Sequence, residues 1–202
     1  MTSLTDDAEL IGGHAALDLV NTVAWRGDPA RIVDRLVDLP TLLAWMTRVG
    51  LLDAASGVRL ARERQADGEA AVRAARRVRE TLHTALRATA TGTPLSSQDV
   101  ADLRSVLVGA VRRASLDSTL PLRWTITPRL PEDLAWQLAL VGMELLHDSD
   151  RLHAVRVCEG TGCGWLFIDQ SRSHTRRWCS SADCGNRERA RRHYARTRSA
   201  DS

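Results

Sequence analysis

Apolar residues in the first 150 positions recur mainly at the spacing of α-helices. The clearest case is the Ala- and Arg-rich stretch from about Glu69 to Thr89, where apolar side chains fall every three or four residues. Asp38 with Pro40 marks the start of one helix, and Ser96 or Ser97 the start of another that runs to about Arg113. A short helix in HAALDLVNTVAW and a largely apolar one opened by Pro131 complete the prediction.

One segment between these helices alternates apolar and polar residues instead. In LPLRWTITP the apolar positions are Leu122, Trp124 and Ile126, which predicts a strand bounded by prolines. The chain has six Trp but one Phe and one Tyr. Because Trp is the largest apolar side chain, we expect Trp45, Trp124 and Trp136 to supply much of the core volume.

All four cysteines lie in a short C-terminal segment with the spacing Cys158-x4-Cys163-x15-Cys179-x4-Cys184. Two close pairs, each on one tight turn, supply the four thiolates that tetrahedral zinc requires. GWLFID and TRRWCS read as two strands around a QSRSH turn, and SSADCGNRERARRHYAR reads as a helix that carries the second pair at its start. This order is that of a treble-clef-like finger holding one structural Zn²⁺ per chain. The alternatives are two disulfides or four buried apolar thiols.

Charge separates the two parts of the chain. Residues 1–150 hold 17 Arg against 20 acidic residues, a net charge of −3, whereas residues 151–202 hold 11 Arg against 5, a net charge of +6. The acidic N-terminus lacks the pattern of a signal peptide, and no apolar run is long enough to span a membrane. We therefore expect a cytoplasmic protein without a membrane partner, in a compartment where disulfides are uncommon.

These patterns predict a mainly α fold with small β elements (α+β). A helical domain over residues 1–150 is followed by the treble-clef-like zinc finger and an Arg-rich terminal helix over residues 151–202.

The segment WCSSADCGNRERARRH resembles the CGNR zinc-finger family, whose signature is present as Cys184-Gly185-Asn186-Arg187. CEGTGCGWLFID and SRSHTRRWCS extend the match, so it covers about residues 150–196. GGHAALDLVNTV is similar to the start of the ABATE domain, which precedes this finger in bacterial proteins. The resemblance implies a stress-related transcriptional regulator in which the finger binds DNA, in the nucleoid, and the helical domain senses a ligand. It also implies the four cysteines as zinc ligands.

The terminal segment RERARRHYARTR is suited to phosphate contacts if it is helical. One face of that helix must pack on the finger, and Ala190, Tyr194 and Ala195 are the apolar groups available for it. We expect duplex DNA as the partner and a homodimer as a possible assembly. The candidate DNA contacts are Arg176, Arg177, Arg187, Arg189, Arg191, Arg192 and Arg196. A solvated helix that serves dimerisation or protein docking is the alternative.

The N-terminal segment offers a candidate ligand site. His14 and Asn21 fall near one helical face, and Arg26 follows them, so the three can contact a small polar molecule. The alternative is that His14 caps the helix and that Asn21 is satisfied by backbone groups. We expect no enzyme activity, because the sequence contains no recognisable nucleophile setting, phosphate loop or second metal cluster.

Overall fold

The computed structural model describes residues 10–63 and 65–200, with the backbone alone at residues 199 and 200. The acidic segment over residues 1–9 lies outside the described residues. The helices of the described chain are α1 (Ala15–Val20), α2 (Leu39–Arg48), α3 (Ala54–Leu60), α4 (Gln65–Thr91), α5 (Ser97–Arg113), α6 (Pro131–His147), α7 (Ser149–His153) and α8 (Asn186–Ala200). A five-residue π-helix, Ser181–Gly185, leads into α8.

Six short strands form three antiparallel ribbons of two strands each within the described residues. They are β1 (Val23–Ala24) with β2 (Val33–Asp34), β3 (Ser115–Leu116) with β4 (Trp124–Thr125), and β5 (Val155–Val157) with β6 (Leu166–Ile168). The mainly helical fold with small β elements is thereby confirmed.

Local sequence signals account for most of the helix ends. The Asp38 carboxylate accepts the Thr41 amide at the start of α2, and Gly50 follows the end of that helix with φ of 75°. Ser96 and Asp99 form a reciprocal capping box at the start of α5. The starts of α2 and α5 are therefore at the positions that Asp38 and Ser96 predicted.

The core of the helical domain is built around α4 and α6. The buried face of α4 includes Val78, Leu82 and Leu86, which belong to the same apolar cluster as Leu134 and Leu138 of α6. The two helices approach closely at Gly142, where a Cβ atom would lie 2.4 Å from Leu82 Cδ2. The largely apolar surface of α6 is therefore explained by its central position.

The expectation for the tryptophans is right in part. Trp45 is buried in the main core and Trp136 packs at its edge, but the Trp124 side chain is 40% exposed. In place of the longer strand predicted around Trp124, the structure has the two residues of β4. This strand pairs with β3, and both strands are exposed. The ribbon contacts α6 through β4, but the residues of both strands remain exposed, so the alternation does not produce a buried face.

The predicted pairing within the finger is wrong. Gly164–Asp169 contains β6 as expected, but the segment 175–180 forms no strand. The partner of β6 is β5, with Val157 opposite Leu166 and Val155 opposite Ile168. This partner precedes the first cysteine, so the turn that joins the two strands is the Cys158–Cys163 knuckle itself.

The apolar core continues across the predicted boundary between residues 150 and 151. Val155, Leu166 and Ile168 of the finger ribbon belong to the cluster that contains the core of α1, α4 and α6. The Asn21 side chain bridges this junction, because Nδ2 donates to the Leu166 carbonyl at 2.8 Å and Oδ1 accepts the Leu166 amide at 2.9 Å. The finger is thus packed directly on the helical domain.

Candidate metal centre and basic helix

The four cysteines converge at one buried point beside the β5–β6 ribbon. Cys158 follows β5, Cys163 lies just before β6, Cys179 ends the following loop, and Cys184 lies in the π-helix before α8. Their Sγ atoms all lie within 4.8 Å of one another. Each side chain is at most 6% exposed.

The sulfurs are in the surroundings of metal-bound thiolates. The Gly160 and Cys179 amides donate to Cys158 Sγ at 3.4 and 3.3 Å, and an Arg187 guanidinium nitrogen lies 2.9 Å from Cys184 Sγ. Within the cluster, hydrogen bonds from the neighbouring thiols, and then from the Cys179 amide, lower the pKa of Cys158, and the hydrogen bonds with Cys158 raise the pKa of Cys163 and Cys179. Donors aimed at sulfur favour the ionised form that binds metal.

This donor set fits a closed structural zinc site. The four cysteines are free, and the sulfur separations of 3.7 Å for Cys163–Cys179 and 3.5 Å for Cys179–Cys184 are too long for disulfides. Four thiolates complete a tetrahedral shell around one Zn²⁺ and leave no open position for substrate. This group of four cysteines, close enough together to hold one metal ion, confirms the prediction of one structural zinc.

The signature residues after Cys184 hold the turn and the start of α8. Asn186 Nδ2 donates to the Ala182 carbonyl at 2.6 Å, and its Oδ1 accepts from Arg189. The backbone also approaches a cysteine sulfur closely at Gly160. A Cβ atom at Gly160 would lie 3.0 Å from Cys184 Sγ.

Arg187 makes the contacts that link the metal centre to the helical domain. Besides Cys184 Sγ, its guanidinium group reaches Asp183 at 2.8 Å and lies 4.6 Å from the centroid of the Trp25 ring. The residue therefore combines charge compensation for a thiolate with an aromatic contact across the junction. The sequence analysis names Arg187 as a candidate DNA contact, whereas in the structure its guanidinium group is engaged at the metal centre.

The backbone after Trp25 pairs with the zinc knuckle. The amides of Arg26 and Gly27 donate to the carbonyls of Cys163 and Gly162, each at 3.2 Å. The indole Nε1 of Trp165 donates to the Val23 carbonyl at 2.9 Å. One end of the metal centre is thus held by the helical domain.

Glu188 anchors the first turn of α8 on the knuckle. It is 5% exposed and accepts the Thr161 amide at 2.8 Å, while Arg191 pairs with its other oxygen at 2.8 Å. The hydrogen bonds from Thr161 and Arg191 lower the pKa of Glu188 to about 2. Sequence reasoning missed this residue, although a single acid among six arginines was the available signal.

Beyond Glu188, α8 is exposed on every side through Arg198. The expected packing face of Ala190, Tyr194 and Ala195 is therefore wrong, and Tyr194 is 69% exposed. The helix is held by its first turn, where the π-helix, Arg187 and Glu188 already supply the contacts. The rest projects outward and leaves its arginines at the surface.

The candidate DNA-contacting arginines divide into engaged and open groups. Arg176 donates to the carbonyls of Trp178 and Cys179 and lies against Phe167, so it braces the loop before the second cysteine pair. Arg177 pairs with Glu159 at 2.7 Å. Arg189, though exposed, donates to the Ser181 carbonyl at 3.0 Å.

Arg192 and Arg196 form the open group. Neither guanidinium forms a hydrogen bond or ion pair with any residue that the structure describes.

The candidate ligand contacts near the N-terminus are engaged in the fold. His14 caps α1, its Nδ1 accepting the Ala16 amide at 3.2 Å, and Asn21 bridges Leu166 as described above. Arg26 forms a two-pronged ion pair with Glu80 at 2.7 and 3.1 Å, and its Nε is buried without a partner among the described residues. The structure matches the alternative interpretation of His14 and Asn21.

A helical domain joined to a four-cysteine finger defines the class of protein. Residues 13–152 match the ABATE family, described as "Putative stress-induced transcription regulator", and residues 154–197 match the CGNR zinc finger. The first match covers more than half of the chain, so the protein belongs to the ABATE family, here followed by a CGNR zinc finger. A search of curated proteins finds no match. None of the described helices has the length and apolarity needed to cross a membrane.

Proposed function

We propose that this protein is a zinc-dependent transcriptional regulator that contacts duplex DNA through α8. The observation that carries the proposal is the exposure of α8 from Arg189 to Arg198 directly after a metal centre that fixes its first turn. The family descriptions support a regulatory role.

The charge of α8 suits a polyanionic partner. The helix carries six arginines and one acid, Glu188, which is buried and paired. Its 15 residues extend about 22 Å, and a helix of this size fits the major groove. Each phosphate neutralised by an arginine releases counterions, which favours binding at low salt.

The direction of the side chains identifies one face of α8 for this contact. Arg187 turns toward Trp25 of the helical domain, so the arginines on the face of α8 opposite Arg187 point away from that domain. Those arginines are Arg189, Arg192 and Arg196, which we call the outer stripe. The outer stripe can approach a DNA backbone without breaking contacts of Arg187 or Glu188.

The remaining parts of the function are proposed on the same basis. The helical domain senses a small ligand, and its contacts with the knuckle offer a route from that domain to α8. Association with the nucleoid follows from DNA binding. A homodimer would give a single small finger a longer recognition site. No catalytic step is part of this function.

A mobility-shift assay with fragments of the protein's own promoter tests the proposal. Zinc-loaded protein is expected to shift duplex DNA, and a chelator is expected to abolish the shift because it removes the anchor of α8. Replacing the three outer-stripe arginines by Ala is expected to remove most of the binding while zinc remains bound. The control replaces Arg77, Arg104 and Arg112, three exposed arginines elsewhere, and changes the net charge equally.

A protein-docking module is the second candidate. The loop between β3 and β4 exposes Leu120 at 84% and Leu122 at 59%, and Trp124 of β4 is 40% exposed, which together give an apolar surface suited to a protein partner. An absence of any shift by the zinc-loaded protein at low salt would favour this function over DNA binding.

A further inference from the structure

A cleft of about 120 Å³ opens at the junction between the helical domain and the metal centre. Its lining combines the sulfur-bearing wall of Cys163, Cys179 and Cys184 with Trp25, Arg35 and Arg187. The volume accommodates several water molecules but no large ligand. Three of the four buried cysteines line this cleft, so it gives a small molecule a route to their sulfurs.

The cleft holds two guanidinium groups, those of Arg35 and Arg187, and one carboxylate, that of Asp183, which pairs with Arg187 at 2.8 Å. Arg187 lies 2.9 Å from the sulfur of Cys184. The Arg35 guanidinium lies 5.5 Å from the Trp165 ring and forms no ion pair or hydrogen bond with any described residue. Arg35 is half-buried, and a half-buried guanidinium that has no ion pair with any described residue is available to a molecule in the cleft. Cationic, partly accessible surroundings are those of oxidation-sensitive cysteines.

The sulfur of Cys179 lies close to the sulfur of Cys184. Cys179 Sγ is 3.5 Å from Cys184 Sγ, closer than the 3.7 Å between Cys163 Sγ and Cys179 Sγ. Redox-responsive thiols commonly have a resolving thiol beside them. The cleft therefore holds an attacking sulfur, a resolving sulfur and two guanidinium groups.

We propose that the cleft is a peroxide-reaction site at which Cys184 is oxidised and then forms a disulfide with Cys179. The Cys184 thiolate attacks one oxygen of a small hydroperoxide, so that an S–O bond forms and the O–O bond breaks. When the hydroperoxide is hydrogen peroxide, the leaving group is hydroxide, which the buffer protonates to water. The Cys179 thiolate then attacks Cys184 Sγ, the S–S bond forms, and a second hydroxide leaves. The two sulfurs supply the two electrons that reduce the peroxide.

The roles of the two arginines follow from charge. Arg187 stabilises the Cys184 thiolate, and Arg35 stabilises the negative charge that develops on the departing oxygen. The disulfide removes two of the four metal ligands, so the protein loses its zinc. Because Cys184 lies in the π-helix that leads into α8, its movement frees the first turn of that helix. Loss of DNA binding on oxidation rests on the proposed function, whereas the sulfur chemistry does not.

The test uses the zinc-loaded full chain and hydrogen peroxide. Zinc release is followed with a chromophoric chelator, and disulfides are located by peptide mapping under non-reducing conditions. We expect one zinc released per Cys179–Cys184 disulfide formed, with recovery after treatment with a dithiol and zinc. Oxidised glutathione, which is far larger than the cleft, is expected to release zinc much more slowly than hydrogen peroxide does at equal concentration.

Arg35→Gln provides the variant for this test, because Arg35 contacts no metal ligand through a described hydrogen bond. We expect it to retain zinc and to slow peroxide-driven release roughly tenfold. Arg59→Gln is the control, since Arg59 bonds the carbonyls of Pro128 and Arg129.

Three results would overturn the proposal: zinc retained under peroxide, a disulfide that excludes Cys184, or equal release rates for Arg35→Gln and wild type. A protein that releases zinc as expected but never binds DNA would overturn the proposed function alone.

Discussion

Arg187 shows how one side chain can join two parts of this protein. It lies 2.9 Å from a metal-ligating sulfur, pairs with Asp183 and rests against Trp25, a residue 162 positions earlier in the chain. The guanidinium group suits this position because it is planar and offers several donors at once. Lysine has the charge but lacks that geometry.

Replacing Arg187 by Lys or Ala is expected to weaken zinc binding by about tenfold or more, since residues that support metal ligands have effects of this size. Competition with a chelator of known affinity measures the change. Arg192→Ala is the matched control, because Arg192 lies on the same helix but is exposed and away from the sulfurs. Equal zinc affinity in Arg187→Ala and Arg192→Ala would contradict the supporting role.

The buried carboxyl group of Asp18 makes the stability of the protein depend on pH. Burial raises the pKa of Asp18 from 3.8 to about 6, although its Oδ1 accepts the Gly12 amide at 2.9 Å. The folded state therefore holds this proton more tightly than the unfolded state. As the pH rises from about 4 to about 6, the unfolded state ionises first and stability is lost.

Asp18→Asn keeps the acceptor for Gly12 but cannot ionise. At neutral pH we expect it to be more stable than wild type by on the order of 2 kcal/mol, with the difference shrinking as the pH falls toward 4. Urea unfolding of the two zinc-loaded proteins over this range measures the difference. A difference that does not vary with pH would show that the ionisation of Asp18 has no part in it.

Residues with a purely local role were the ones that the sequence could predict. Asp38 and Ser96 act within three positions of themselves, so the cap pattern was sufficient to find them. The four cysteines were also predictable, because the spacing within each pair is set by one turn. The contacts of Arg187 with Trp25 and of Glu188 with Thr161 join distant segments, and a local pattern can mark such a residue as unusual but cannot identify its partner.

At the scale of helices and strands, the metal centre replaces packing as the support of α8. An amphipathic helix normally buries one face, but α8 is exposed from Arg189 onward. The π-helix, the Glu188–Thr161 hydrogen bond and the Arg187 contacts hold its first turn instead. The sequence predicted α8 itself correctly. The packing face was wrong because it was inferred from the general rule that an amphipathic helix buries one face.

The crossing of α4 and α6 depends on a glycine. Gly142→Ala would place a methyl group 2.4 Å from Leu82 Cδ2, closer than carbon atoms pack. We expect a loss of about 1–3 kcal/mol in the free energy of unfolding, although Ala by itself favours a helix over Gly by about 1 kcal/mol. Denaturant unfolding measures the change.

Gly57→Ala in α3 is the control for Gly142→Ala. The nearest atoms to its added methyl group would be Thr47 Oγ1 at 3.6 Å and Leu52 Cδ2 at 3.8 Å, which are ordinary contacts. This variant is expected to gain about 0.5–1 kcal/mol from helix propensity alone. If Gly142→Ala were stabilised as Gly57→Ala is expected to be, the contact with Leu82 would not require a glycine at position 142.

At the scale of the whole molecule, the finger and the helical domain share one core. Val155, Leu166 and Ile168 pack with the helices, and the backbone at Arg26 and Gly27 bonds the knuckle. The sequence could not predict this arrangement, because it depends on pairing β6 with β5 instead of with the segment 175–180. The change of pairing places the knuckle against the Trp25 loop and fixes the base of α8 on the domain.

The salt dependence of duplex DNA binding tests the central claim that a zinc-anchored α8 contacts the DNA backbone. Fluorescence anisotropy with zinc-loaded protein is expected to give a linear fall of log K with log salt concentration. Because each phosphate contact contributes about −0.9 to the slope, replacing Arg189, Arg192 and Arg196 by Ala is expected to reduce its magnitude by about 3. An unchanged slope and affinity in that variant with zinc still bound, or no binding by the zinc-loaded wild type at low salt, would contradict the claim.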